Sequence, residues 1–172
     1  MNVSFYKYQG TGNDFIIFDN RALFFPKNNN LLISNLCNRY FGIGADGLIL
    51  LENDENSNFK MIYYNADGNE STMCGNGGRC IVAFAKHLGI IEAETIFLAA
   101  DGPHKATINK RLVNLQMTNV SEINVLADGY SLNTGVPHLV HFVSDLHTVD
   151  VNLEGRQLRF DARFQPEGTN VN

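Results

Sequence analysis

One segment, GNGGRCIVAFAKHLG at residues 75–89, leaves few folds open to the whole chain. It ends at Gly89, a natural residue just past a helix end, and it is apolar at Cys80, Ile81, Val82, Ala83, Phe84, Ala85 and Leu88. Only a narrow stripe through Arg79 and Lys86, seven residues apart and so on one side, is charged, with His87 beside it. A helix apolar nearly all round has to be buried, so the remaining chain must enclose it.

The enclosing material reads as strands. Short β-type runs recur, VSFYKY, DFIIFD, GLILLE, FKMIYYN, ETIFLAA, HKATIN and RLVNLQM, bounded by turn chemistry such as ENDENSN and the recurring ADG. Short links such as DGP and NK favour hairpins and an antiparallel sheet. A second helix, NLLISNLCNRY, follows an Asn cluster able to cap it, and gives Cys37 a plain packing role. The fold class expected is therefore α+β: a mainly antiparallel β-sheet wrapped round a central helix. After RLVNLQM the pattern restarts. Residues 1–118 read as a first domain and 119–172 as the start of a second, in which TNVSEINVLADGY is a connection, LVHFV an apolar run and NLEGRQLRFDARF a helix candidate.

At 172 residues with 44% hydrophobic and 18% charged content, the chain has the make-up of a folded protein rather than a disordered one. A net charge of -5, no Lys/Arg run and no Trp argue against a nucleic-acid partner, which needs clustered positive charge. The N-terminal MNVSFYKYQG lacks the form of a signal peptide, and no apolar run approaches the roughly 18 residues that a membrane span needs. No membrane partner and a cytoplasmic location are the expectation. Cys37, Cys74 and Cys80 are spaced for neither a zinc site nor a disulfide framework, so free thiols and no metal are expected.

Cys74 stands where the central helix begins. Unpaired N–H groups and the positive end of the helix dipole stabilise a thiolate there, and the same N–H groups can bind a carboxylate. Gly75, Gly77 and Gly78 take side chains away from the place where a ligand would approach. A small buried hydrophobe is the bland alternative for Cys74. Against it, each glycine costs about 0.8–1 kcal/mol of helix propensity relative to Ala, which a purely structural helix start has little reason to carry. A phosphate-binding P-loop is excluded, since no Gly-Lys-Ser/Thr follows. His138, held in GVPH behind Pro137, is the natural partner for such a thiol, although a lone His is more often structural. Asp67 and Glu70 read as turn and surface carboxylates, and Asn13, Asn65, Asn76 and Asn170 individually read as turn chemistry.

Taken in order, GTGNDF, FGIGADG, YNADGNESTMCGNGGRC, GVPH and RFQPEGTNVN make the chain resemble the amino-terminal part of diaminopimelate epimerase over essentially its whole length. The resemblance implies two similar domains, each a sheet round a central helix, the second incomplete here, with the substrate in the cleft between them. It implies no cofactor, neither metal nor pyridoxal phosphate, and a homodimer. The activity implied is interconversion of LL- and meso-diaminopimelate for lysine and peptidoglycan synthesis, by one thiolate that takes the α-proton and a second thiol that returns one. Carried over by motif position, Cys74 is the first catalytic thiol and His138 the residue that tunes the pair. Gly75 and Asn76 hold the α-carboxylate, and Asn13, Asn65 and Asn170 contact substrate.

The chain departs from that family at three places. Val136 stands where the family commonly has Asn, and Gly47 where many members have Gln. The carboxy-terminal segment with the second cysteine is not in these residues, which reads as a truncated sequence whose lone chain is inactive and prone to associate. Three rival readings follow: a non-catalytic binding module of the same fold, a proline-type racemase or related proton-shifting isomerase, and a Cys-His hydrolase built on Cys74 and His138.

Overall fold

The computed structural model describes residues 3–172. They fall into two units, one ending at Met117 and the other Thr118–Asn172.

The first unit opens on a hairpin of β1 (Tyr6–Gly10) and β2 (Asn13–Asp19), whose turn residues Thr11 and Gly12 both adopt positive φ, 56° and 85°. That twist suits a two-residue hairpin. Next comes α1 (Asn30–Cys37), capped by the Asn29 side chain, which accepts from the Leu32 N–H. It leads into β3 (Gly47–Glu52), which lies parallel to β2. β4 (Phe59–Asn65) is antiparallel to β3 and pairs also with the two-residue β5 (Glu70–Ser71). Then α2 (Gly75–His87) carries the chain over to β6 (Glu94–Ala99), parallel to β4, and β7 (Gly102–Asn109) and β8 (Leu112–Leu115) follow as antiparallel hairpins. The sheet is mainly antiparallel, as expected, but the two parallel pairings are not hairpins. Each is bridged by a helix, because parallel neighbours need a long crossover.

Burial explains that arrangement. The β2 run FIIF and the whole of β3 are buried on both faces, the pattern of a strand covered on each side. On one face Phe15, Ile17, Ile49, Leu51, Phe59, Met61 and Phe97 pack round Cys80, Ile81, Phe84 and Ala85 of α2. On the other, Ile16, Phe18, Leu48, Leu50, Ile62 and Tyr64 meet Ile33 and Cys37 of α1. The sheet curls about α2, which touches β1, β2, β3, β4, β7 and β8. Phe84 is fully buried, its ring 4.8 Å from that of Tyr6 and 5.8 Å from that of Tyr8. The helix stops where Gly89, at φ 70°, donates to the Lys86 carbonyl and Ile90 donates to that of Ala85, a paired closure that glycine makes accessible.

The second unit holds β9 (Ile123–Leu126), β10 (Gly129–Asn133), β11 (Pro137–Val140), α3 (Val151–Arg159) and β12 (Asn170–Val171), with sheet order β12-β11-β10-β9. β9 occupies part of the stretch that reads as a connection, because INVL is a short apolar run set among polar neighbours. The helix candidate ends early: Asp161 caps a separate 3-10 turn, Ala162–Phe164. The residues Asn170–Val171 pair with β11 in parallel register. Leu139 and Thr169 are the best-buried side chains of this unit. None of the helices among the described residues is long and apolar enough to cross a membrane.

Candidate functional site

In the first unit, the starts of β2 and β3, the end of β4 and the start of α2 meet at one corner. Phe15, Gly47 and Asn65 lie in one row across β2, β3 and β4. Asn13, two residues before Phe15, reaches α2 from this corner. Its Oδ1 accepts from the Cys74 thiol at 3.7 Å and from Asn76 Nδ2 at 3.3 Å, while its own Nδ2 donates to Asp46 Oδ2 at 2.8 Å. A carboxylate can only accept, so Asp46 decides which way the Asn13 amide faces and turns the oxygen toward the sulfur.

Asp46 is itself held. Arg39 donates to Asp46 Oδ1 and to Asp14 Oδ1, both at 2.7 Å, and Lys7 donates to Asp14 Oδ2 at 2.8 Å and to the Gly44 carbonyl. The Asn13 amide and the Arg39 guanidinium hold the Asp46 carboxyl below its ordinary range, and the Arg39 guanidinium chiefly holds Asp14 well below. Both carboxylates are therefore charged acceptors at neutral pH.

Cys74 is the N-cap of α2, with extended φ and ψ of -109° and 121°, and its side chain makes no capping bond. Its carbonyl accepts from Gly78 N–H at 2.7 Å, while the N–H groups of the first turn have no acceptor within the helix. The Asn76 side chain is engaged by the protein: its Oδ1 accepts from Thr11 Oγ1 at 3.1 Å and from the Arg79 guanidinium. The amide oxygen of Asn76 is thus used within the protein, which leaves its donors, the backbone N–H and a second N–H2 hydrogen, for a ligand. Gly77 and Gly78 serve a different end from the one expected. Both are buried, and a Cβ on Gly77 would stand 3.1 Å from Ile49 Cδ1 and 3.2 Å from Met61 Cε, while one on Gly78 would meet Met73 and Leu115. They let the helix start approach the sheet, whereas Gly75 lies at the more open edge.

Asn65 ends β4. Its Oδ1 accepts from the Tyr63 hydroxyl at 2.8 Å, and its backbone pairs with Asn69 and Gly68 in the following turn. The Asp67 carboxylate accepts from Asn69 N–H at 2.8 Å, turn chemistry as expected.

His138 and Asn170 belong to the second unit, where they stand opposite each other on β11 and β12. His138 Nδ1 lies 2.6 Å from Asn172 Oδ1, an acceptor, so Nδ1 carries the hydrogen in this arrangement. Asn170 Oδ1 accepts from Arg159 at 3.4 Å.

The other two thiols sit inside the two cores. Burial pushes Cys37 and Cys80 each up to about 11. Cys74 is only partly buried. At pH 8, iodoacetamide should therefore modify one thiol per folded chain, mapped to Cys74 by peptide mass, and three after denaturation. Rapid labelling of two or three thiols in the native state would contradict the buried positions. Among the described residues no group of three or more His, Cys, Asp or Glu could hold a metal ion.

Asp46, Arg39 and Tyr63 are not among the candidates that the sequence singles out. Asp46 sits in an ADG that reads as a turn, and Tyr63 in a strand that reads as core. An acid inside a glycine-rich segment, next to a second such segment, is the only available signal.

Comparison with known proteins agrees with the motif resemblance. The sequence profile of the family described as diaminopimelate epimerase matches residues 5–122. The diaminopimelate epimerase of Flavobacterium psychrophilum is 58% identical over 168 residues, 97% of this chain and 66% of that protein. That of Aquifex aeolicus is 40% identical over 189 residues, 99% of this chain and 68% of that protein. The chain thus spans about two thirds of the length of the curated relatives it matches. Among solved structures, a hydroxyproline epimerase from Agrobacterium vitis is similar with a TM-score of 0.60 at 16% identity, over 90% of this chain and 56% of that one. A PhzF-family phenazine biosynthesis protein from Bacillus anthracis gives 0.57 at 13% identity, over 80% and 54%. These two share the fold.

Proposed function

The chain belongs to the diaminopimelate epimerase family, and from that premise we propose that it takes part in a cofactor-independent exchange of the Cα proton of diaminopimelate, interconverting the LL and meso forms. The observation that carries this reading is Cys74 at the open N-terminus of α2, its sulfur 3.7 Å from an Asn13 amide oriented by Asp46.

In the proposed step the Cys74 thiolate takes the α-proton from one face of Cα, and a thiol on the opposite face returns one. No electron sink spreads the carbanion's charge, so the developing negative charge has to be met on the α-carboxylate. The first-turn N–H groups of α2, at Gly75 and Asn76, are aligned with the positive end of the helix dipole for that purpose. Asn13, Asn65 and Asn170 supply polar contacts to the rest of the substrate, and His138 tunes the proton exchange. Cys37 and Cys80 cannot be the opposing acid: each is 3% exposed inside a core, out of a substrate's reach. The reading therefore requires that acid from outside residues 1–172.

The test is turnover by the natural protein in deuterated water. LL-diaminopimelate should gain one deuterium at Cα and appear as the meso form, while trans-4-hydroxy-L-proline and proline stay unlabelled. Labelling of proline compounds in place of diaminopimelate would overturn the substrate, and labelling of neither would overturn the proton exchange itself.

A further inference from the structure

Tyr63 stands over a bare stretch of backbone. On Gly47, a Cβ would lie 2.6 Å from Tyr63 Cε2, 2.6 Å from the Tyr64 carbonyl oxygen and 3.2 Å from the Tyr63 hydroxyl. No side chain fits there, so the absence of one at Gly47 is what admits the ring. The Phe15 ring meets Tyr63 edge-on, with centroids 6.0 Å apart, and closes the side toward the core. Among the described residues the hydroxyl at the far end has one partner at hydrogen-bond distance, Asn65 Oδ1 at 2.8 Å. Asn65 lies directly opposite Gly47 in the β3–β4 register, so glycine, phenol and amide form one small unit at the corner that holds Cys74.

We propose that Tyr63 is a positioning residue of this site: its hydroxyl, seated over Gly47, holds the Asn65 side-chain amide in place at the corner. An exposed Asn side chain at a strand end otherwise samples several rotamers. In the arrangement found, the phenol donates to the amide oxygen, which leaves the N–H2 hydrogens free to face a carboxylate. Burial, and next the charge of Cys74, raise the Tyr63 phenol well above its ordinary range, so the group stays a protonated donor at every working pH. The substrate side of this inference rests on the reading of the site as one for diaminopimelate.

Tyr63→Phe keeps the ring and removes only the hydrogen bond. In the natural protein it should raise KM for diaminopimelate about three- to ten-fold, the worth of one neutral hydrogen bond, with kcat within about two-fold. The same substitution in an Asn65→Ala background should have no further effect on KM, since the hydroxyl acts through that amide. In the ligand-free protein the Asn65 side-chain amide resonance, identified by its loss in Asn65→Ala, should shift and broaden in Tyr63→Phe. An unchanged KM, or an undiminished effect in the Asn65→Ala background, would overturn the proposal. An unmoved amide signal would also overturn it. A wild-type protein with no turnover of diaminopimelate would sink the substrate reading instead, and the amide signal would still decide for or against the role of Tyr63.

Discussion

Cys74→Ser should abolish epimerisation and leave the protein at least as stable as before. The side chain changes by one atom, yet an alcohol is far too weak an acid to serve as the base at neutral pH, so turnover should fall by at least about 10³-fold, within the range for losing a general base. Stability should move the other way. Cys74 occupies the N-cap of α2 without making a capping bond, and Ser is among the preferred residues at that position, worth roughly 0.5–1 kcal/mol over a non-capping one. Turnover and thermal midpoint measured on the same preparation give the check. Wild-type activity would remove the thiol from the chemistry, and a protein that lost its activity by unfolding would make Cys74 a structural residue. The expected combination, dead and slightly more stable, is the mark of a residue kept for what it does at a cost in stability.

Phe84→Ala should produce the largest loss of stability in the first unit, about 3–5 kcal/mol. The ring is fully buried at the middle of the helix that the sheet encloses, against Tyr6 and Tyr8 of the edge strand. No neighbour is free to fill the hole, since the surrounding side chains belong to a sheet already curled to contact. Set against the roughly 5–15 kcal/mol of a typical domain, that loss would bring the unit close to unfolding at 37 °C. The denaturant midpoint should fall sharply at constant m-value, and Phe84→Leu should cost less than half as much. A loss below about 1 kcal/mol for Phe84→Ala would mean that α2 is not the centre of the unit.

Much of the first unit is legible before any coordinates. A helix apolar on nearly every side has one place to go, and Phe84, Ile81 and Cys80 are buried where that argument puts them. Cys37 is a core residue, as its stripe implies. The parallel pairing of β2 with β3 is harder to see, although FIIF and GLILLE carry its mark: runs without alternation belong to strands covered on both faces. Short links elsewhere in the chain pull the reading toward hairpins. At the site, residue types are visible and relationships are not. Asn13 and Cys74 are single letters 61 positions apart, and nothing local announces that Asp46 orients one toward the other. Gly77 and Gly78 look like room for a ligand and prove to be room for Ile49, Met61 and Leu115, because backbone-to-sheet approach and ligand approach ask for the same residue. Tyr63 is hidden by its strand, where an aromatic is ordinary.

The hairpin turn at Thr11 and Gly12 rests against the start of α2, with Gly10 close beneath the Asn76 backbone and Asn13 bonded to Asn76. On the ribosome this hairpin is finished long before the helix it will touch. At about 5–20 residues per second the intervening stretch takes on the order of 3–12 s to make. Until then the chain carries neither a partner for Asn13 nor a thiol for it to meet. Once joined, the two halves are welded into the same cooperative unit, since the contact spans most of the first unit's length and cannot form from local structure. The contact between Cys74 and Asn13 is thus a late product of folding, absent from a nascent chain and from a mature one whose amino-terminal hairpin has come away.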